Sequence, residues 1–169
     1  MKVLVFVMMF VLHLSAYEFV LLNETDISDD DIIERVTSQI ENYYASDETT
    51  IEFNLLEDKE AVIKVLDEYD YSGSDEDKDM LLSKYQDLEE DLKTIFDTKY
   101  ILIVKESLNR DERNELTIVL KVNNMNYFDT TYVMPILEDK EQHYIDTITN
   151  VVLTYLVYKD KNFIQVHQL

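Results

Sequence analysis

The chain has 169 residues and carries 36 Asp and Glu against 15 Lys and Arg, a formal charge of −21. This length fits one domain, and a hydrophobic content of 46% supplies a core large enough to exclude wholesale disorder despite the charge. So acidic a surface repels phosphates, which excludes a nucleic-acid binder or a polybasic membrane reader, and the absence of Cys excludes a disulfide framework, a thiolate metal site and a cysteine nucleophile.

The first sixteen residues, MKVLVFVMMFVLHLSA, place one cation, Lys2, before an apolar run that ends at Leu14, followed by the small residues Ser15 and Ala16. This is the pattern of an export signal, cleaved after Ala16. The run is shorter than the roughly 20 residues that a membrane-spanning helix needs, so no transmembrane span is expected once it is removed. The mature chain, 17–169, is then a single domain. It loses one positive charge with Lys2, so its net charge becomes 14 − 36 = −22.

Tyr17 to Leu22 reads as a β-rich apolar strand, and Ile32, Ile33, Val36, Ile40, Tyr43 and Tyr44 follow at helical spacing. Ser28 is the expected N-cap of that helix, with Asp29, Asp30 and Asp31 in the first turn, where the helix dipole favours anions. A second strand is expected over Thr50 to Asn54 and a second helix over Asp58 to Tyr69. The stretch YSGSDEDKD, Tyr71 to Asp79, holds the single Gly of the chain and a dense run of charge, and reads as an exposed loop. From Met80 to Phe96 the apolar set Met80, Leu81, Tyr85, Leu88, Leu92, Ile95 and Phe96 recurs every three or four residues, predicting one helix with Glu89, Glu90, Asp91 and Lys93 on its polar face.

Lys99 to Lys105 is a nearly continuous apolar run suited to a central strand, and Leu116 to Val122 alternates as its neighbour across a polar hairpin at Asn109 to Asn114. Thr130 to Pro135 completes a meander, with the proline at the strand end because it cannot donate to a ladder. A last helix is expected over Asp139 to Tyr158, and a short strand over Asn162 to Val166. The expected fold is α+β, an α/β two-layer sandwich with about five strands in a mixed sheet and about four helices, in the order β-α-β-α-α-β-β-β-α.

In that order, three stretches carry a resemblance: YEFVLLNETD at residues 17–26, Ile51 to Leu66, and FDTKYILIV at residues 96–104, with NYFDTTY at residues 126–132 near a turn. Together they resemble the envelope domains related to the N-terminal domain of the translocation protein TolB, the curli secretion protein CsgG, FlgO-like flagellar proteins and LpoB-type activators. The resemblance spans 17–158. It implies a periplasmic module without catalysis that binds another envelope component. The chain lacks the glycines that commonly follow the central strand and the lipidated cysteine of the secretion and activator proteins, which argues against a pore or an outer-membrane anchor.

Catalytic constellations are sparse. A Ser-His-Asp site needs a base beside its nucleophile, yet His143 and His167, the two histidines after the signal, flank no glycine-framed serine. Gly73 alone cannot build a phosphate-cradling loop. Around that glycine, Asp70, Asp75, Asp77 and Asp79 are candidate oxygen ligands for weak Ca2+ binding, although the spacing departs from an EF-hand loop. No other cofactor is expected.

Tyrosine is abundant, 12 of 169 residues, and its ring offers interface area at low entropic cost. Tyr127, Phe128 and Tyr132 are therefore candidates for partner binding. The sequence reads best as an exported, non-catalytic interaction or assembly domain of the bacterial envelope, steered by its acidity toward a basic partner. The alternatives are an acidic, divalent-cation-binding secreted protein and a hydrolase working through a carboxylate pair.

Overall fold

The computed structural model describes residues 15–43, 49–69, 74–123, 125–134 and 139–158. The strand expected over Asn162 to Val166, Pro135, Asp70 and the expected export signal up to residue 14 lie outside them. Five strands form one mixed sheet in the order β2-β1-β3-β4-β5: β1 (Ser15–Glu24), β2 (Thr49–Asn54), β3 (Tyr100–Leu108), β4 (Asn114–Val122) and β5 (Met125–Val133). β1 lies parallel to both β2 and β3, whereas β3, β4 and β5 form an antiparallel meander. The helices are α1 (Asp29–Tyr43), α2 (Lys59–Tyr69), α3 (Asp75–Lys84), α4 (Glu89–Asp97) and α5 (Lys140–Tyr158).

The α+β class, the five strands and their mixed pairing agree with the sequence reading. Two details differ. Among the described residues there are five α-helices instead of about four, because the stripe from Met80 to Phe96 breaks at Tyr85 (φ −118°, ψ 63°) into α3, a 3-10 turn at Gln86–Leu88, and α4. The layers also number three, because strand side chains alternate and both faces of β1 and β3 are apolar. Phe19, Leu21, Leu102 and Val104 face one way, into a core closed by α1 and α5. Val20, Leu22 and Ile101 face the other way, into a smaller core closed by α2, α3 and α4.

The α1 and α5 faces are those the apolar spacing predicts: Ile32, Val36 and Ile40 on α1, and Tyr144, Ile145, Ile148, Val151, Val152, Tyr155 and Leu156 on α5, are all buried. Ser28 caps α1 as expected, its Oγ accepting from the Asp31 amide at 3.1 Å and donating to the Asp31 carboxylate at 2.7 Å. The acids of the expected exposed loop divide. Ser74 accepts from the Asp77 amide and starts α3, so Asp75 to Asp79 form helical turns instead of a loop, with three acids in the first turn stabilised by the dipole. Asp91, expected on a polar face, is only 8% exposed. It reaches from α4 to accept from the amides of Glu57 and Asp58 at 3.0 and 2.8 Å, satisfying donors ahead of α2.

β5 begins five residues earlier than the sequence suggests and contains a bulge: Leu120 pairs with Phe128 but Lys121 pairs with Asn126, which leaves Tyr127 as an extra residue. β1 begins at Ser15, and Ser15 and Ala16 pair with Thr49 and Thr50, so the expected cleavage after Ala16 would remove two strand pairs and leave Tyr17↔Ile51 as the first. Among the described residues no helix is long and apolar enough to cross a membrane.

Candidate functional site

From β1 the chain leaves over one face of the sheet through α1 to β2, and it reaches β3 over the other face through α2, α3 and α4. The two crossovers therefore diverge at the carboxyl ends of β1 and β2, the place where open α/β sheets form a crevice. β1 outlasts β2, whose last pair with it is Val20↔Asn54, and runs on beside β3 to Asn23↔Val104 and Glu24↔Lys105. A cavity of about 620 Å³ opens beyond them, lined by Asn23 to Asp29 with Lys59, Glu60 and Ile63.

Asn23 organises the first wall. It is 5% exposed, and its Nδ2 donates to the Ile27 carbonyl at 2.7 Å and to Asp29 at 2.8 Å, while its Oδ1 accepts from the Thr25 amide and hydroxyl. Asn23-Glu24-Thr25 is thus a folded turn whose side-chain amide is already engaged. Lys59, at the start of α2, binds both oxygens of Asp29 at 2.9 Å and ties the two helix starts together.

A second polar network closes the crevice from the α5 side. Lys140 donates to Asp26 at 3.0 Å and pairs with Glu106, and the buried Tyr144 hydroxyl donates to Glu106 at 2.9 Å. A lysine in the first turn of a helix opposes the dipole, and the two carboxylates offset that cost. Burial alone would lower the Lys140 ammonium, but its bonds to Glu106 and Asp26 and their charges outweigh burial and hold its pKa above the usual lysine value. Hydrogen bonding with Glu106 and Lys140 holds the Asp26 carboxyl below the usual carboxylate range. Burial, reinforced by the bond to Glu106 and its charge, pushes the Tyr144 phenol well above its ordinary value. The Glu106 Oε2 atom is buried with no hydrogen-bond partner.

The crevice runs on into a groove of about 350 Å³ on the α2 face, sharing Glu24 and Ile63 with it. Among the described residues, helices cover only the β2-β1-β3 half of that face. The floor of the groove is Ile101 and Ile103 of β3 and Val119 of β4, and its wall is Ile63 and Leu66 of α2 with Ile95 of α4. Lys105, Lys121, Glu24, Asp67 and Asn126 supply its polar margin.

The sequence-predicted residues fall elsewhere. Asp75, Asp77 and Asp79 lie in the first two turns of α3, where Asp75 pairs with Lys78 at 3.7 Å, and Asp70 lies outside the described residues. A helical rise of 100° per residue turns Asp77 away from Asp75 and Asp79. Among the described residues no group of three or more Asp, Glu, His or Cys side chains is placed to hold a metal ion. The aromatic trio is divided: Phe128 and Tyr132 pack against the larger core, whereas Tyr127 is 41% exposed and sets its ring edge-on to Tyr155 at 4.9 Å. His143 is half-buried on α5, with its carbonyl accepting from Thr147.

Sequence reasoning missed the crevice network. Lys140, Glu106 and Asp26 are separated by 34 residues or more and look like solvated charges until β3 and α5 bring them together. It also missed the groove, since partial helix coverage of a sheet leaves no trace in periodicity. Comparison of the chain with protein-family models and with curated proteins gives no match to either.

Proposed function

We propose that this chain is an exported, non-catalytic interaction domain of the bacterial cell envelope, and that the β5 side of the sheet is its partner-binding surface. The observation that carries the reading is the exposed edge. β5 closes the sheet order, is nine residues long, and shows Met125 at 70%, Val133 at 53% and Tyr127 at 41% exposure. Folded chains usually blunt such an edge with lysine, proline, a bulge or a covering element, because its unpaired amides and carbonyls are a template for another strand; on β5 the bulge is confined to Tyr127 and leaves Phe128 to Val133 regularly paired. Here Asp129, Thr130 and Thr131 accompany the apolar residues, and Phe128 and Tyr132 anchor the strand to the core from beneath.

A partner strand added to β5 would gain main-chain hydrogen bonds along the edge and would cover Met125 and Val133. The net charge of −21 favours a partner with a basic surface and speeds its encounter at low salt. The expected export signal supplies the compartment, and the resemblance to the envelope domains supplies the class of role.

The experiment places a photo-crosslinking amino acid at Met125 of a tagged chain in its native host, followed by fractionation, N-terminal sequencing and identification of the trapped protein. The expected result is a mature chain beginning at Tyr17 in the envelope fraction and one trapped envelope protein. That protein should bind the purified domain, and Met125→Glu with Val133→Glu should abolish the binding. An uncleaved cytoplasmic chain, or binding that survives both charges, overturns the reading.

A further inference from the structure

The groove beside α2 contains a cation that the fold does not use. Lys121 rises from β4 between Ile101 of β3 and Asn126 of β5 and is half-buried at the groove margin. Lys105, at the other end of the groove, is bound to Glu24 at 3.1 Å. The Lys121 ammonium has no hydrogen bond or ion pair with any of the described residues. In a chain with 36 carboxylates to 15 cations, an ammonium left without one on an inner strand, beside an apolar floor, stands out.

We propose that this groove binds a singly charged anionic amphiphile, an aliphatic carboxylate of medium chain length. The hydrocarbon lies on Ile101, Ile103 and Val119 against Ile63, Leu66 and Ile95, and the carboxylate is held by the Lys121 ammonium. Three features favour this class. The lining joins an apolar floor and wall to polar side chains at both ends, a combination that suits an amphiphile, and about 350 Å³ is within the range small-molecule sites occupy. The unused charge is positive, in a molecule whose overall field is negative, so the attraction is local and selects a ligand of low charge. Asp67, and Glu24 at the far, Lys105 end, add negative charge to the same groove and disfavour a doubly charged phosphate head group.

The apolar body is as necessary as the charge. Simple anions would find one lysine in a repulsive field and gain little, whereas an alkyl chain gains burial along the floor and wall. The site is distinct from the β5 edge, and neither proposal requires the other.

The test titrates decanoate, below its aggregation concentration, into the full chain and follows amide and methyl NMR signals. The expected result is saturable shifts centred on Ile63, Ile101, Ile103 and Val119. Decanol and decyltrimethylammonium should bind at least about tenfold more weakly, because they lose the charge-assisted bond. Lys121→Met, which keeps the stem and removes the charge, should weaken decanoate by about the same factor without weakening decanol. Val119→Phe, which fills the floor, should abolish shifts from both. The proposal is overturned if decanoate shifts no groove signal in the unmodified chain, if the shifts centre on Met125, Tyr127 and Val133 instead, or if folded Lys121→Met binds decanoate as tightly as before.

Discussion

Tyr144 shows how a single polar group can be fixed by its surroundings. Its ring is fully buried in the larger core, and its hydroxyl ends on Glu106. An ordinary tyrosine ionises near pH 10. Because burial and the adjacent carboxylate raise the folded-state value, the folded protein keeps the phenolic proton over a range in which the unfolded chain has lost it. The resulting stability is complete below about pH 10 and declines as pH rises through the elevated value. Urea unfolding measured between neutral and strongly alkaline pH should show this decline. Tyr144→Phe should cost about 1 kcal/mol at neutral pH and reduce the alkaline slope; an unchanged slope would show that the phenol does not contribute. Asp91 is the counterpart that the sequence hides. Helical spacing marks it as polar and outward, and nothing local reveals that two loop amides from Glu57 and Asp58 converge on it. Ser28 is legible for the opposite reason, since its cap bonds are to residues three positions away.

Among the elements, the hairpin between β3 and β4 is built without glycine. Asn109 Oδ1 accepts from the amides of Asp111 and Arg113, and Glu112 takes a left-handed conformation with φ 57°. That conformation strains a side chain with a Cβ, whereas glycine adopts it freely. Glu112→Gly should therefore raise stability by about 0.5–1 kcal/mol, read as a higher urea midpoint at unchanged slope. A lower midpoint would mean that the added flexibility of the unfolded chain outweighs the relief. The absence of glycine after the central strand, visible in the sequence, is thus accommodated by Glu112 and by Asn123 at φ 50°. The break at Tyr85 was not legible, because the apolar stripe continues at three- and four-residue steps across it. The start of α3 was partly legible. Ser74-Asp-Glu-Asp repeats the logic of Ser28-Asp-Asp-Asp, and only the neighbouring Gly73 and the charge density favoured a loop.

At the scale of the whole molecule, a charge of −21 on one domain makes self-repulsion a standing cost to the folded state. Raising salt from about 0.01 M to about 0.1 M shortens the screening length from about 30 Å to about 10 Å. Thermal unfolding should accordingly shift upward over that range, with sodium chloride and potassium chloride equally effective. A much larger shift with calcium than with magnesium at equal ionic strength would instead point to a specific cation site, the reading that Asp75, Asp77 and Asp79 suggested. The three-layer arrangement also sets where binding can occur, because it opens the crevice at the β1 and β2 ends and, among the described residues, leaves the β4 and β5 half of one sheet face without a helix.

What the sequence by itself determined is what local pattern encodes: the order of the five strands, the buried stripes of α1 and α5, the Ser28 cap and the continuous apolar run of β3, since each depends on residues a few positions apart. The tertiary structure alone decided which face each helix covers, the meeting of Asp26, Glu106 and Lys140, the burial of Asp91, and the unpaired Lys121 beside an open groove. Those features depend on strands and helices far apart in the chain, and a side chain's partner is fixed only when the sheet order is.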